Sequence, residues 1–240
     1  MITFTVLHSL IRKFSLATLA RRALLLVFSA SLLSTLSILS ACSALLPAKV
    51  APATVYSLDN VQSTGQLMQA NTPIPVSRPG APTLVVSTPR AAAGFDSRHM
   101  MYVRQVHQLE YFRQSEWVNT PAAMLSPLVV TALEKSASFG AVVQSPTSVA
   151  GQYRLDLEVL RLQQEFLTTP SRVHVTVRAH LLDTSSHQVI DWREFDVSVV
   201  ANSDDPYGGV VAANQAMQIV IAEMVTFCSK ALANVSRTSP

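Results

Sequence analysis

Cys42 is the residue whose chemistry the sequence specifies most clearly, because its thiol directly follows the small residues Ser40 and Ala41. An apolar run without charges, residues 23–39, precedes these residues. Four basic residues lie before that run: Arg12, Lys13, Arg21 and Arg22. A basic region, an apolar stretch and small residues at a cleavage site are the parts of a secretory signal. The sequence therefore predicts a signal peptide over residues 1–41.

The residues Leu39-Ser40-Ala41-Cys42 resemble a bacterial lipobox. That resemblance implies that the Cys42 thiol is acylated with diacylglycerol, that the chain is cut before Cys42, and that the new amino group is acylated. Ser43 follows the cysteine. Because an Asp there favours inner-membrane retention in enterobacterial lipoproteins, Ser43 indicates a lipid anchor in the outer membrane, with the domain facing the periplasm. Inner-membrane retention stays open.

The alternative to a cleaved signal is an uncleaved membrane anchor. The apolar run 23–39 is near the lower limit of about 17–25 residues for a spanning helix. Five hydroxyl residues also dilute it: Ser29, Ser31, Ser34, Thr35 and Ser37. The order of basic residues, apolar run and lipobox therefore favours the lipoprotein interpretation.

The charge of the chain belongs mainly to its signal. Four of the 18 Lys and Arg residues lie in residues 1–41, which leaves 14 of them against 15 Asp and Glu in the remainder. No run rich in Lys and Arg occurs after the signal, so nothing in the charge pattern points to nucleic acid.

With Cys42 taken by lipid, Cys228 has no cysteine partner for an intramolecular disulfide. Its helical apolar surroundings predict a buried residue rather than a nucleophile.

No residue pattern after the signal matches a known catalytic or metal-binding motif. The histidines (His99, His107, His174, His180 and His187) show no metal-ligand spacing, and no nucleophile elbow or phosphate loop is present. His174 and His180 lie six residues apart on one strand face, where solvent-facing residues are the simpler interpretation. Acids on alternating strand positions are better explained by cross-strand pairing with Arg154 and Arg193 than by glycosidase chemistry. The sequence predicts no enzyme, no metal and no cofactor.

The periodicity of the remaining chain predicts an α+β domain. Alternating apolar residues predict three long strands over 153–166, 172–183 and 188–200, with a bulge near residue 160 where the apolar parity switches. Shorter strands are expected at 55–58, 83–87 and 141–143, and two more on either side of Gln105. The expected sheet is antiparallel and has about 4–6 strands.

Two amphipathic helices complete the predicted fold. One begins with Thr120 as N-cap and Pro121 at the first helical position, and the other covers residues 207 to about 234. Both are expected on one face of the sheet. The predicted organisation is therefore a signal over 1–41, a flexible tether over 42–53 and a domain over 54–235.

One segment, residues 102–117, concentrates aromatic residues and arginines. We expect Tyr111 and Trp117 to be core residues that bridge strand and helix, because aromatic residues are mostly buried. Tyr, Trp and Arg are also enriched among interface anchors, so part of the segment is a candidate for docking a partner. The candidate partner-binding residues are Tyr102, Arg104 and Arg113.

The same segment carries a family resemblance. Tyr56-x-Leu58, the strand Leu84-Val85-Val86, and the series Tyr102-x-Arg104, Leu109-x-Tyr111, Trp117, Pro121 and Met124-Leu125 resemble the ABC-type transport auxiliary lipoproteins, the PqiC-like family. The resemblance spans about residues 42–235. It implies a lipid-anchored accessory protein that works beside an MCE-domain protein and the permease and ATPase of an ABC transporter. It also implies lipid traffic between membranes and self-association into rings.

Two other function classes stay open from the sequence. The nearest alternative is an outer-membrane assembly or envelope-stabilising lipoprotein unrelated to lipid transport. The third is an enzyme without a recognisable motif.

The Cys42 assignment is tested by replacing the thiol. Cys42→Ser removes the only atom to which diacylglycerol can attach, so we expect loss of lipid labelling and accumulation of precursor that retains residues 1–41. Metabolic labelling with a fatty acid and mass spectrometry of the N-terminal peptide measure both effects. Normal maturation of the variant, or a mature chain that starts at another residue, would contradict the assignment.

Overall fold

Alternating apolar residues and short extended segments together build a single mixed sheet. The computed structural model describes residues 52–59 and 80–238. Its strands are β1 (Thr54–Tyr56), β2 (Thr83–Val86), β3 (Arg90–Ala91), β4 (His99–Gln105), β5 (Gln108–Trp117), β6 (Ala141–Gln144), β7 (Tyr153–Glu165), β8 (Arg172–Asp183) and β9 (Val189–Val200). The helices are α1 (Pro121–Lys135) and α2 (Pro206–Thr238).

The long strand β7 organises the sheet through its two edges. On one edge it pairs antiparallel with β8 over nearly its whole length, and β8 pairs antiparallel with β9. On the other edge three short strands pair parallel to it in succession: β2, then β3, then β4. β6 extends this side beyond β2, while β5 and β1 extend it beyond β4.

The predicted sheet of about 4–6 antiparallel strands is therefore wrong in both number and direction. The described part of the chain forms nine strands, and the pairs β1–β5, β2–β6 and β2, β3 or β4 with β7 are parallel. Strands of two to four residues are too short to show a repeat of two, and parallel pairing depends on distant residues. The predicted meander of β7, β8 and β9 is confirmed.

The predicted bulge near residue 160 is also confirmed. Val159 lies opposite Val177, whereas Arg161 lies opposite Thr176, so Leu160 is the extra residue. Before the bulge the buried side chains are odd-numbered, as in Leu157, and after it they are even-numbered, as in Leu162. An inserted residue exchanges the two faces of a strand, which keeps apolar side chains pointing into the core along all of β7.

Both helices bury apolar stripes in the one core of the described residues. Thr120 caps α1 by accepting a hydrogen bond from the Ala123 amide, and Pro121 follows at the first helical position, as predicted. α1 packs against β6 and α2. α2 covers β8 and β9, where Phe227 meets Phe195 edge to face at 6.0 Å. α2 is long and apolar enough to span a membrane, but its apolar stripe is buried against the sheet.

The other face of the β7–β8–β9 meander carries a ladder of paired charges. Arg178 lies between Glu158 at 3.7 Å and Glu194 at 3.0 Å, and Arg154 pairs with Asp156 at 3.1 Å. Only the contacts of Arg178 cross from strand to strand, because Arg154 and Asp156 both lie on β7 and Arg193 pairs instead with Glu223 of α2. Cross-strand pairing is therefore confirmed for Glu158 and Glu194 and is wrong for the expected partners Arg154 and Arg193.

Val177 tests which face of β8 is buried. The side chain is fully buried, so Val177→Asp places a carboxylate in the core without a partner. An uncompensated buried charge costs about 3–5 kcal/mol or more. We therefore expect urea titrations to show that the variant has lost most of its free energy of unfolding.

The neighbouring Arg178→Gln is the matched control for Val177→Asp. Its side chain lies on the opposite face in two partly exposed ion pairs, so we expect a loss below about 1 kcal/mol. Glutamine is preferable to aspartate here, because a third acid beside Glu158 and Glu194 would add repulsion. Equal destabilisation by the two substitutions would show that the face assignment is wrong.

Glu165 gives the fold a predicted dependence on pH. Burial raises the pKa of this carboxyl, but the hydrogen bonds from His174 at 3.0 Å and Gln163 at 2.8 Å outweigh burial, so the pKa lies below its ordinary value of 4.5. A lowered pKa stabilises the fold above the unfolded-state pKa, and this contribution is lost as the pH falls through the folded-state pKa.

We therefore expect Glu165→Gln to lower the free energy of unfolding at neutral pH and to lose this effect when the pH falls well below 4.5. Urea titrations of both proteins across this range measure the difference. Glu134→Gln, on the exposed side of α1, is the control. A difference for Glu165→Gln that does not change with pH would contradict the assigned hydrogen bonds.

Candidate docking site at the hairpin end of the sheet

The candidate partner-binding residues lie on the hairpin formed by β4 and β5. The sequence predicted a break near Gln105, and the structure places a two-residue turn there, Val106 and His107. His107 has a φ of 69°, the left-handed conformation that closes the turn. Tyr102 and Glu110 face each other across the two strands. The hairpin therefore brings residues eight positions apart into direct contact.

Tyr102, Arg104 and Glu110 form a closed hydrogen-bonded network. The Tyr102 hydroxyl donates to Glu110 Oε2 at 2.9 Å, and Arg104 Nη2 donates to the same oxygen at 2.7 Å. Arg104 Nε donates to Glu110 Oε1 at 3.2 Å, and its guanidinium lies 5.1 Å from the centre of the Tyr102 ring. The hydrogen bonds from Arg104 and then Tyr102 lower the pKa of Glu110. Arg104 is thus exposed but held in one orientation.

Arg113 differs from Arg104 because it is held by no such network. Its side chain is exposed on β5, and no ion pair to it occurs among residues 52–59 and 80–238. The structure therefore brings Tyr102 and Arg104 together and leaves Arg113 separate on the same strand pair. An exposed guanidinium of this kind can bind a carboxylate or phosphate in two-point geometry.

Tyr111 corrects the expectation that it belongs to the core. It is 49% exposed and stacks on His99 at 4.3 Å. Met101 lies opposite Tyr111 and His99 opposite Glu116, so β5 uses five residues where β4 uses two. This irregularity turns Tyr111 outward. Trp117, beyond it, is 3% exposed, which confirms its assignment to the core.

Sequence reasoning missed an exposed apolar group at the hairpin end of the sheet. Val106 lies in the β4–β5 turn, Leu109 is the second residue of β5, and Leu167 lies in the β7–β8 connection; all three are exposed. We call these three residues the apolar tip. Leu167 lies in a different turn from Val106 and Leu109, and the three show no periodicity, so only the fold brings them to one end.

Other side chains that could be reactive or bind a metal have structural roles. His174 bonds to Glu165, and His180 stacks on Trp192 at 6.2 Å. Across the described ranges no cluster of three or more His, Cys, Asp or Glu residues is placed to hold a metal. Cys228 is fully buried, and burial raises the pKa of its thiol to about 12. It is therefore a core residue and not a nucleophile. Cys42, the predicted lipidation site, lies outside the described residues.

The fold has relatives among solved structures. A protein of Xanthomonas campestris from the DUF330 family is similar with 24% identity and a TM-score of 0.65, over 78% of this chain and all of that one. An uncharacterised protein is similar with 13% identity and a TM-score of 0.56, over 74% of this chain and 99% of that one. At these identities the likeness shows the fold alone. No match is found among proteins with curated functions.

A match to a family model shows to which protein family the chain belongs. The model for the ABC-type transport auxiliary lipoprotein component matches residues 65–225, which is more than half of the sequence and includes both the β4–β5 hairpin and most of α2. The family resemblance is thereby confirmed, and its aromatic segment lies within the match, whereas Tyr56-x-Leu58 lies before the matched residues. The chain belongs to the ABC-type transport auxiliary lipoprotein family.

Proposed function

We propose that the protein is a lipid-anchored, periplasm-facing accessory subunit of an ABC/MCE-type intermembrane lipid transport system. The observation that carries the proposal is the family match over residues 65–225, because it links the chain to an ABC-type transporter. The MCE-domain partner and the lipid cargo come from the sequence resemblance. They are parts of the proposal.

The proposed attachment is through acylated Cys42, with Ser43 directing the protein to the outer membrane. The family is one of lipoproteins, which supports a lipid anchor. An anchor in the outer membrane would hold the domain across the periplasm from an inner-membrane transporter.

We propose that the protein acts by binding and positioning and makes or breaks no bond. Two features of the described residues support this. His174 and Glu165 are held in a structural pair, and the thiol of Cys228 is buried and protonated. The candidate surface for such binding is the β4–β5 hairpin, which carries Tyr102, Arg104, Tyr111 and Arg113.

The proposed docking surface is the β4–β5 hairpin, which carries Tyr102 and Arg104 on one face, Tyr111 on the opposite face and the exposed Arg113 on β5. Interface anchors are enriched in tyrosine and arginine, since both bury a large area and offer directed hydrogen bonds. The network with Glu110 fixes Arg104 before binding, which reduces the conformational entropy that a partner must overcome. This surface is offered to the MCE-domain protein, to the transporter or to a second copy of the chain in a ring.

The nearest alternative is an outer-membrane assembly or envelope-stabilising lipoprotein of the same fold. Its partners would be other outer-membrane proteins or the cell wall, and no transporter subunit would bind. The identity of the bound partners therefore separates the two functions.

The docking surface is tested by the double variant Arg104→Ala, Arg113→Ala. Both side chains are exposed, so we expect normal folding with a melting temperature nearly unchanged. Loss of two anchor residues should weaken binding on the order of tenfold or more. Quantitative co-purification with the MCE-domain protein and the transporter, together with gel filtration for self-association, measures the effect.

Arg154→Ala is the matched control for the double variant. Arg154 is also exposed and also pairs with an acid, Asp156, but it lies on β7 away from the hairpin. We expect this variant to bind like the unmodified protein. A folded double variant that still binds fully would place the docking surface elsewhere.

A further inference from the structure

The apolar tip is the part of the surface that the proposed function leaves unused. Val106 is 60% exposed, Leu109 42% and Leu167 47%. Val200 is exposed at the same end, because it pairs with Arg172 and Arg172 pairs with Glu165 at the end of β7. Large exposed apolar groups gathered at one end of a domain mark a contact with a protein or a membrane.

Two turns of the chain are joined to form this end. The Phe166 amide donates to the Val103 carbonyl at 2.8 Å, which ties the end of β4 to the end of β7. Behind the tip, the rings of Tyr102 and Phe112 both meet Phe166 edge to face, at 5.9 and 6.3 Å. The tip therefore stands on a packed aromatic base.

The direction of β1 shows from which end of the sheet the chain enters this strand. β1 runs parallel to β5, with Thr54 opposite Ser115. Since β5 starts at the hairpin turn, the chain enters β1 from the hairpin end of the sheet. β4 covers the distance from the level of Thr54 to the hairpin turn with its seven residues, whose six steps of about 3.3 Å span about 20 Å.

The predicted tether is long enough to reach past the hairpin end of the sheet. Residues 42–53 can span at most about 40 Å when fully extended. An anchor at Cys42 can therefore reach past the hairpin turn, to the side on which the apolar tip is exposed. The bilayer that holds the anchor is the apolar phase within reach.

We propose that the apolar tip rests in the interface of the bilayer that holds acylated Cys42, so that the domain is attached by its lipid and by its hairpin end. This inference rests on the proposed lipid anchor. Val106, Leu109 and Leu167 enter the boundary between headgroups and acyl chains.

The two attachments reinforce each other. Once the lipid anchor is inserted, contact of the tip with the same bilayer is intramolecular, so a weak apolar contact is populated at a high effective concentration. Tyr111 and Arg113 lie further along β5, away from the turn, and remain accessible to a partner. The domain would thus stand on its hairpin end with a fixed orientation.

The experiment measures membrane depth at single labelled residues in the full acylated protein. Val106→Cys and Leu167→Cys variants are reconstituted in vesicles of phosphatidylethanolamine and phosphatidylglycerol and labelled with an environment-sensitive fluorophore. Cys228 is fully buried and Cys42 is acylated, so only the introduced thiol reacts. Quenching by lipids with a spin label in their acyl chains reports depth.

Val189→Cys is the matched control, since Val189 is 50% exposed at the opposite end of the sheet, where β9 begins. We expect quenching at residues 106 and 167 to be several-fold greater than at residue 189. Equal quenching at all three positions, or stronger quenching at 189, in protein that floats with the vesicles would overturn the proposed tip contact alone. Failure of the protein to float would overturn the anchor and the tip contact together.

Discussion

The two edges of β7 are the constraint on which the rest of the structure depends. One edge is paired with β8 over nearly its whole length, whereas the other is divided among β2, β3 and β4. This division fixes where every other element lies. β8 and β9 form the surface that α2 covers, and the position of β4 at the C-terminal end of β7 places the hairpin at one end of the sheet.

The bulge at Leu160 keeps side chains of β7 pointing into the core at both ends of the strand. After the bulge, Gln164 faces the core and is almost fully buried. Its amide donates to Ser171 Oγ at 2.9 Å and to the Asp205 carbonyl at 3.3 Å, while the Asp205 carboxylate caps α2 through the Gly208 amide at 2.7 Å. One buried side chain thus joins β7, the start of β8 and the start of α2, directly behind the hairpin end.

Much of this architecture could be predicted from the sequence. The long strands and both helices have apolar residues at a fixed period over many positions, and the switch of parity at Leu160 located the bulge. The parallel strands could not be predicted, because Arg90–Ala91 carries no pattern and its partner in β7 is nearly 70 residues away. For the same reason the sequence missed the apolar tip, whose members come together only in the fold.

The candidate docking residues illustrate the same limit. Tyr102, Arg104 and Arg113 were identified by residue type, and the structure adds that Glu110 holds two of them in place. Tyr111 was misassigned because the irregular pairing of β5 with β4 changes its face, and nothing in the local sequence marks that change.

The proposed function requires that the β4–β5 hairpin binds a component of an ABC/MCE-type transport system. The most direct measurement is photo-crosslinking in intact cells, with a light-activated amino acid in place of the exposed Tyr111 and the adducts identified by mass spectrometry. We expect an adduct with an MCE-domain protein or a transporter subunit. An adduct only with outer-membrane assembly proteins, or with peptidoglycan-bound proteins, would contradict it.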